Sequence, residues 1–144
     1  MKNLKHIRTR VINNYFEKID NRAFDEDYYN LFTEDVQLYF PKFGFKRGKA
    51  GLSQLGERFG RFIKKLRHDF KSFNYISQGD QIVVEGVVEG ETVDGIKWPD
   101  NEFAHWRFCN VFEFEGLLIK RVHIYEDPDF TSQDLKRIEI FGLE

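Results

Sequence analysis

An α+β fold is expected of this chain, with an antiparallel meander packed on three N-terminal helices, and three observations lead to it. Apolar residues recur at helical three- and four-residue spacing in the first half of the sequence. Period-two alternation takes over in the second half. No linker, low-complexity tract or internal repeat divides the 144 residues, so helices and sheet are expected to share one domain, 1–144. A domain of this length buries roughly two-thirds of its unfolded surface unaided.

The elements follow in order. Leu4, Ile7, Val11, Tyr15 and Ile19 form a helical stripe widened by Ile12 and Phe16, and Asp20-Asn21 supplies the stop. Residues 24–32 predict a short second helix with Tyr28, Leu31 and Phe32 on one face. Residues 36–40 predict a brief strand ended by Pro41, and Gly44 and Gly48 mark a loop. Leu52, Leu55, Phe59, Phe62, Ile63 and Leu66 then predict an amphipathic third helix over 49–66. Four strands are expected at 70–77, 81–91, 103–114 and 117–126, each divided from the next by Gly, Asp or Asn. The insert 93–101, with Trp98-Pro99, reads as a rim or edge feature, and 131–144 as a terminal helix or arm.

Composition excludes several classes of function. The 22 basic and 24 acidic residues leave a net charge of −2, which offers no field to attract nucleic acid. The single cysteine, Cys109, can neither close an intrachain disulfide nor assemble a zinc site, and no cofactor motif is present. The amino terminus is charged and lacks an apolar run of signal length, and no stretch is long enough to span a membrane, so a soluble cytoplasmic protein is expected. The aromatic content is 17%, with 16 phenylalanines. Rings in that number build thick cores, and they also line pockets for flat apolar ligands.

One position asks the functional question directly. Trp106, Phe108, Phe112 and Phe114 alternate with period two, and Asn110 lies among them. A buried amide must find partners or cost roughly 1–3 kcal/mol, so Asn110 is either a fastener or part of a ligand site.

Tyr15-Phe-Glu-Lys-Ile-Asp20, Leu31-Phe-Thr-Glu-Asp-Val36, Gly48-Lys-Ala-Gly-Leu52 and Asn110-Val-Phe-Glu-Phe114, followed by Tyr125-Glu-Asp-Pro128, carry a family likeness over roughly residues 11–130. The chain resembles the nuclear transport factor 2-like superfamily, which includes ketosteroid isomerase, scytalone dehydratase, limonene-epoxide hydrolase and the SnoaL-like polyketide cyclases. Its likeness is closest to SnoaL-like members. The resemblance implies a cone-shaped fold in which a strongly curved sheet wraps helix one around a cavity, and dimerisation through the outer sheet face. It leaves turnover open, because this fold carries enzymes and inert binding domains alike.

The resemblance places Tyr15 where ketosteroid isomerase-like sequences have a catalytic tyrosine, and Asn110 where they have a protonated aspartic acid. An asparagine amide donates to a developing enolate without needing a raised pKa. The family's proton-abstracting aspartate is replaced by Phe40, which cannot accept a proton. Glu126 is the substitute base if the hairpin turns at Glu115-Gly116-Leu117. Asn110 then pairs with Val122, and the inner face receives Leu118, Val122, Ile124 and Glu126. A two-residue Glu115-Gly116 turn would instead bring in Arg121, His123, Tyr125 and Asp127. Glu126 could equally be a solvated strand end or a partner of Lys120.

The expected ligand is a small, flat, apolar molecule bearing oxygen. Tyr15 and Asn110 orient it, and Phe40, Trp106, Phe108, Phe112, Val122 and Ile124 wall it in. Trp98 either caps the pocket or protects a sheet edge. His105 and His123 fall on the outer face with Arg107, Cys109, Arg121, Tyr125 and Asp127, a mixture suited to a homodimer interface. The run Arg58, Arg61, Lys64, Lys65, Arg67, His68 and Lys71 reads as the solvated face of helix three. The rival expectation is a non-catalytic module whose cavity is filled by its own rings, with Tyr15 and Asn110 bonded to each other.

Overall fold

The computed structural model describes residues 2–103 and 105–142. Ala104, inside the strand expected at 103–114, and residues 143–144 of the expected terminal arm lie outside the described residues.

The first helix, α1, runs Lys2–Asp20 as its stripe predicts. Its most buried line is Arg8, Ile12, Tyr15 and Phe16, which leaves Ile7, Val11 and Ile19 half-buried on the flanks. Arg8 is tolerated there because it is fully engaged. Its Nε donates to the Gly116 carbonyl at 2.9 Å, Nη1 meets Asp80 at 3.0 Å, and the guanidinium lies over Phe114. The second helix, α2, is only Glu26–Tyr29, capped by Asp25, whose carboxylate accepts from the Tyr28 N–H at 2.9 Å. Phe32, expected at its end, instead opens strand β1, Phe32–Phe40.

The segments on either side of α3 also differ from the sequence expectation. The segment read as a loop after Pro41 holds strand β2, Gly44–Arg47, which pairs back on β1. Helix α3 spans Gly48–Gly60 and stops there, rather than at Leu66. Gly56 and Gly60 weaken its last turn, and Ile63 then pairs with Thr92 across the sheet. Phe62 accordingly sits in the turn, while Ile63 and Leu66 belong to the long strand β3, Ile63–Gln78.

Strands β4 (Gln81–Thr92), β5 (Lys97–Trp98), β6 (Arg107–Glu115) and β7 (Leu118–Tyr125) complete the sheet, and a short helix α4 (Leu135–Ile140) follows. The strand order is β2-β1-β7-β6-β4-β3, with β5 beside β4. Every neighbouring pair is antiparallel except β1 and β7, which makes this an open, curved mixed sheet in an α+β cone rather than a purely antiparallel one. The inner face of β4 carries Gly90, which lets the indole of Trp98 lie against the strand. A Cβ there would fall 2.2 Å from Trp98 Cζ2.

The β6–β7 hairpin turns on Gly116-Leu117, and Asn110 pairs with Ile124, not Val122. The shift is two residues, so the face is unchanged. Lys120 is an extra residue between the Glu113–Arg121 and Phe114–Ile119 pairs. This bulge puts Ile119 in the core and leaves Leu118 40% exposed, while Val122 and Ile124 still face inward beside Asn110.

Candidate functional site

A cavity of about 110 Å³ opens between α1, α3 and the inner face of the sheet. That volume holds several waters or a small ring. Tyr15 and Phe16 enter it from α1, Leu52 and Phe59 from α3, and Phe40 from β1. Ile63 and His68 come from β3, Asn110 from β6, and Ile124 and Glu126 from β7 and the residue just past it. Most of the wall is apolar, so each polar group on it is held in a poorly hydrated setting.

Tyr15, Asn110, Glu126, Phe40 and Ile124 all line this cavity. The other residues expected to wall it do not. Phe112 is wholly buried against Tyr15 and Phe16, at ring separations of 5.2 and 6.0 Å. Phe108 packs on Phe16 and Phe73. Val122 is buried in the core. Trp98 and Trp106 cluster with Phe130 beyond the cavity. Alternation along β6 selects the inner face, but the packing of α1 decides which part of that face stays open.

Tyr15 is buried, and burial first, then Tyr28, Glu126 and Asp20, raises its pKa well above 10. It is therefore a protonated donor at any physiological pH. Asn110 is buried as well, and its Oδ1 has no hydrogen-bond partner among the described residues. Tyr15 and Asn110 are thus not joined through that oxygen, and the cavity beside them is open rather than filled by rings.

Glu126 stays partly exposed as a residue because it lines an open cavity, but burial of its carboxyl among apolar groups pushes its pKa up to about 8. At pH 7 it is mostly a neutral acid, and above pH 8 a base. Lys120, its possible partner, pairs instead with Glu113 at 3.3 Å.

Two functional candidates were hidden in the sequence. His68 lines the cavity, and its Nδ1 lies 2.6 Å from Asp20 Oδ1. It is a buried residue of β3, not part of a solvated helical face. Its signal is the alternation Leu66, His68, Phe70, which becomes visible once the helix is stopped at Gly60. Arg22 also lines the cavity, its guanidinium donating to the Ile63 carbonyl.

On the outer face, His123 Nε2 sits 3.0 Å from Gln37 Oε1 and its ring lies among Tyr39, Phe45 and Tyr125. Burial, then Arg121, lowers the His123 pKa below its usual 6.5. Burial likewise pushes the Cys109 thiol up, away from nucleophilic use. Among the described residues no group of three or more His, Cys, Asp or Glu side chains is arranged to hold a metal ion, and no helix is long and apolar enough to cross a membrane.

The SnoaL-like domain family matches residues 12–122. No curated protein shows significant similarity to the chain. Among solved structures, an NTF2-like protein of unknown function from Burkholderia pseudomallei superposes with a TM-score of 0.71 at 18% identity, over 92% of this chain and 95% of its own. A candidate polyketide cyclase from Xanthomonas campestris pv. campestris gives a TM-score of 0.70 at 16% identity, covering 89% and 96% of the two chains. TerC, co-crystallised with polyporic acid, gives 0.69 at 19% identity, covering 95% and 97%. At such identities the likeness is one of fold.

Proposed function

The chain belongs to the SnoaL-like domain family, and from that premise we propose that its cavity takes a small, flat, apolar molecule bearing a carbonyl or hydroxyl oxygen. The observation that carries this reading is the unpaired Oδ1 of buried Asn110. An orphaned amide oxygen on an otherwise apolar wall costs about 1–3 kcal/mol, and a ligand hydroxyl that donates to it removes that cost. The Tyr15 hydroxyl supplies a donor, Phe40 and Ile124 flank the ring of the ligand, and the Glu126 carboxyl exchanges a proton with it. A structural neighbour co-crystallised with polyporic acid supports the small-ligand reading. Any turnover is isomerase-, cyclase- or dehydratase-type proton transfer beside a carbonyl.

A thermal-shift screen of aromatic and alicyclic ketones, phenols and epoxides tests the proposal. A true ligand at 100 times its dissociation constant adds about 2.7 kcal/mol to stability. Hits that vanish in Asn110→Leu support the cavity. A wild type without hits overturns it.

A second reading concerns assembly. Phe45 is 65% and Tyr125 48% exposed, and they gather with Tyr39 and His123 on the outer side of β1, β2 and β7. Such a patch favours two copies meeting through their outer sheet faces. Sedimentation of wild type against Tyr125→Lys reads this directly.

A further inference from the structure

The cavity lining is most exposed at Arg22, Phe24 and Gly60, so its mouth lies between the end of α1 and the end of α3. On the α3 side Gly56 and Gly60 present no side chain to that opening. Arg22 stands on the α1 side, in a Schellman turn. The Ala23 N–H donates to the Lys18 carbonyl at 2.9 Å and the Arg22 N–H to the Ile19 carbonyl at 3.1 Å, with Arg22 in the left-handed region at a φ of 53°. Glycine is the usual residue at that position, because a Cβ is strained there. A cation is favourable near a helix C-terminus, but this guanidinium does not turn back onto α1. Its Nη2 donates to the Ile63 carbonyl on β3, which holds it at the cavity mouth.

The charge of Arg22 is left open. Among the described residues it is the one lysine or arginine that lines the cavity, and it forms no ion pair. Its cationic neighbours are occupied: Lys18 meets Asp25 at 2.9 Å, Arg61 meets Glu57 at 2.8 Å, and Lys64 meets Glu91 at 3.7 Å. Asp20, two residues away, is committed through both oxygens to His68. Glu126 is mostly neutral at pH 7 and neither cancels the cation nor repels an anion beside it. The wall thus offers an uncompensated guanidinium at the mouth and, in its depth, an acceptor without a donor, Asn110 Oδ1.

Resting on the ligand cavity proposed above, we infer that Arg22 is an anion-binding residue of this site and that the ligand is a small phenolic carboxylate. Its hydroxyl donates to Asn110 Oδ1, its ring lies along the apolar wall, and its carboxylate meets the free edge of the Arg22 guanidinium. The anion stays at the edge of solvent, which avoids the cost of burying a charge. A cation held in a position that favours glycine is explained by this contact, since the turn itself does not call for it.

Calorimetric titration of 4-hydroxybenzoate, 4-hydroxyphenylacetate and 4-hydroxycinnamate, each beside its neutral primary amide, tests this over three ligand lengths. At low salt the best acid is expected to bind at least about tenfold tighter than its amide. Because Arg22 is exposed, that preference should shrink as NaCl rises from about 0.02 to about 0.5 M. Arg22→Gln is expected to bring acid and amide within about twofold of each other while the amide's affinity stays, and Arg22→Lys, which keeps the charge but not the planar fork, to retain part of the preference. Arg22→Gly should lose the preference in a protein that melts no lower than wild type, which separates loss of the anion site from loss of the fold. Arg61→Gln removes a neighbouring cation and should leave the preference intact. Equal affinity for acid and amide in the wild type, or a preference that survives in Arg22→Gln, overturns the inference and leaves the ligand cavity standing. Binding of neutral phenols or ketones without binding of any of the acids overturns it alone as well. Absence of binding by every probe, charged or neutral, overturns cavity and inference together.

Discussion

Trp106 lies flat on Phe130, with ring centroids 4.3 Å apart and planes within 8°, and its indole Nε1–H donates to the Phe130 carbonyl at 2.7 Å. One side chain thus fastens the segment after β7 by stacking and hydrogen bonding at once. Glu126 belongs to that segment, so the Trp106–Phe130 contact fixes the chain on which the acid stands.

Trp106→Phe keeps most of the stack but loses the hydrogen bond, and its expected loss is about 1–2 kcal/mol. Phe130→Ala also empties a site packed by Phe59, Phe62 and Trp98, and should cost about 3–5 kcal/mol. Urea unfolding midpoints at constant m-value check both.

Asn110→Leu should separate stability from binding. It replaces an amide whose buried Oδ1 is unpaired by an apolar group of similar size, so the fold is expected to gain up to about 1–3 kcal/mol. Ligand affinity should fall at least tenfold, about 1.4 kcal/mol. Thermal melts with and without ligand read both quantities.

The Glu126 carboxyl gives a pH dependence with a definite sign. Its folded-state pKa is raised from 4.5 to about 8, so between those values the native state holds a proton that the unfolded chain has released. Its contribution is fully present below pH 4.5, is lost as pH rises through 8, and is flat above. Relative to Glu126→Gln, wild type should therefore weaken between pH 5 and 9 by at least about 1.4 kcal/mol, the equivalent of one pKa unit. Denaturant melts of both proteins across that range give the difference.

Two glycines on either side of β3 should respond oppositely. A Cβ at Gly90 meets the Trp98 ring at 2.2 Å and the Lys65 carbonyl oxygen at 2.6 Å, so Gly90→Ala should cost about 1–3 kcal/mol. A Cβ at Gly60 meets nothing within 4 Å, and Gly60→Ala should be neutral or stabilising by about 0.4–1 kcal/mol. Melting temperatures of the pair make the comparison.

These residues also show what the sequence makes legible. The stripe through Ile12, Tyr15 and Phe16 and the alternation around Asn110 each have one period, and the structure follows both. Phe59, Phe62, Ile63 and Leu66 fit helical spacing, but Gly60 interrupts them and Ile63 and Leu66 pair with β4, so the end of α3 was decided by a partner distant in sequence. That misplacement carried His68 onto a solvated face and hid its pairing with Asp20, which spans 48 positions. The bulge at Lys120 is likewise invisible in local pattern, yet it preserved the face of Ile124. Alternation also cannot say that Trp106, Phe108 and Phe112 are core while Phe40 borders empty space, because that division depends on how α1 fills the cone.

The central claim is that Asn110 meets a ligand in this cavity. The most direct measurement follows the side-chain amide resonances of Asn110, assigned by their absence in Asn110→Leu, as 1-indanone or a hit from the screen is titrated in. The account predicts saturable shifts of those resonances at the same midpoint as the thermal stabilisation. Saturable shifts confined to Tyr39, His123 and Tyr125 on the outer face, with Asn110 unmoved, would contradict it.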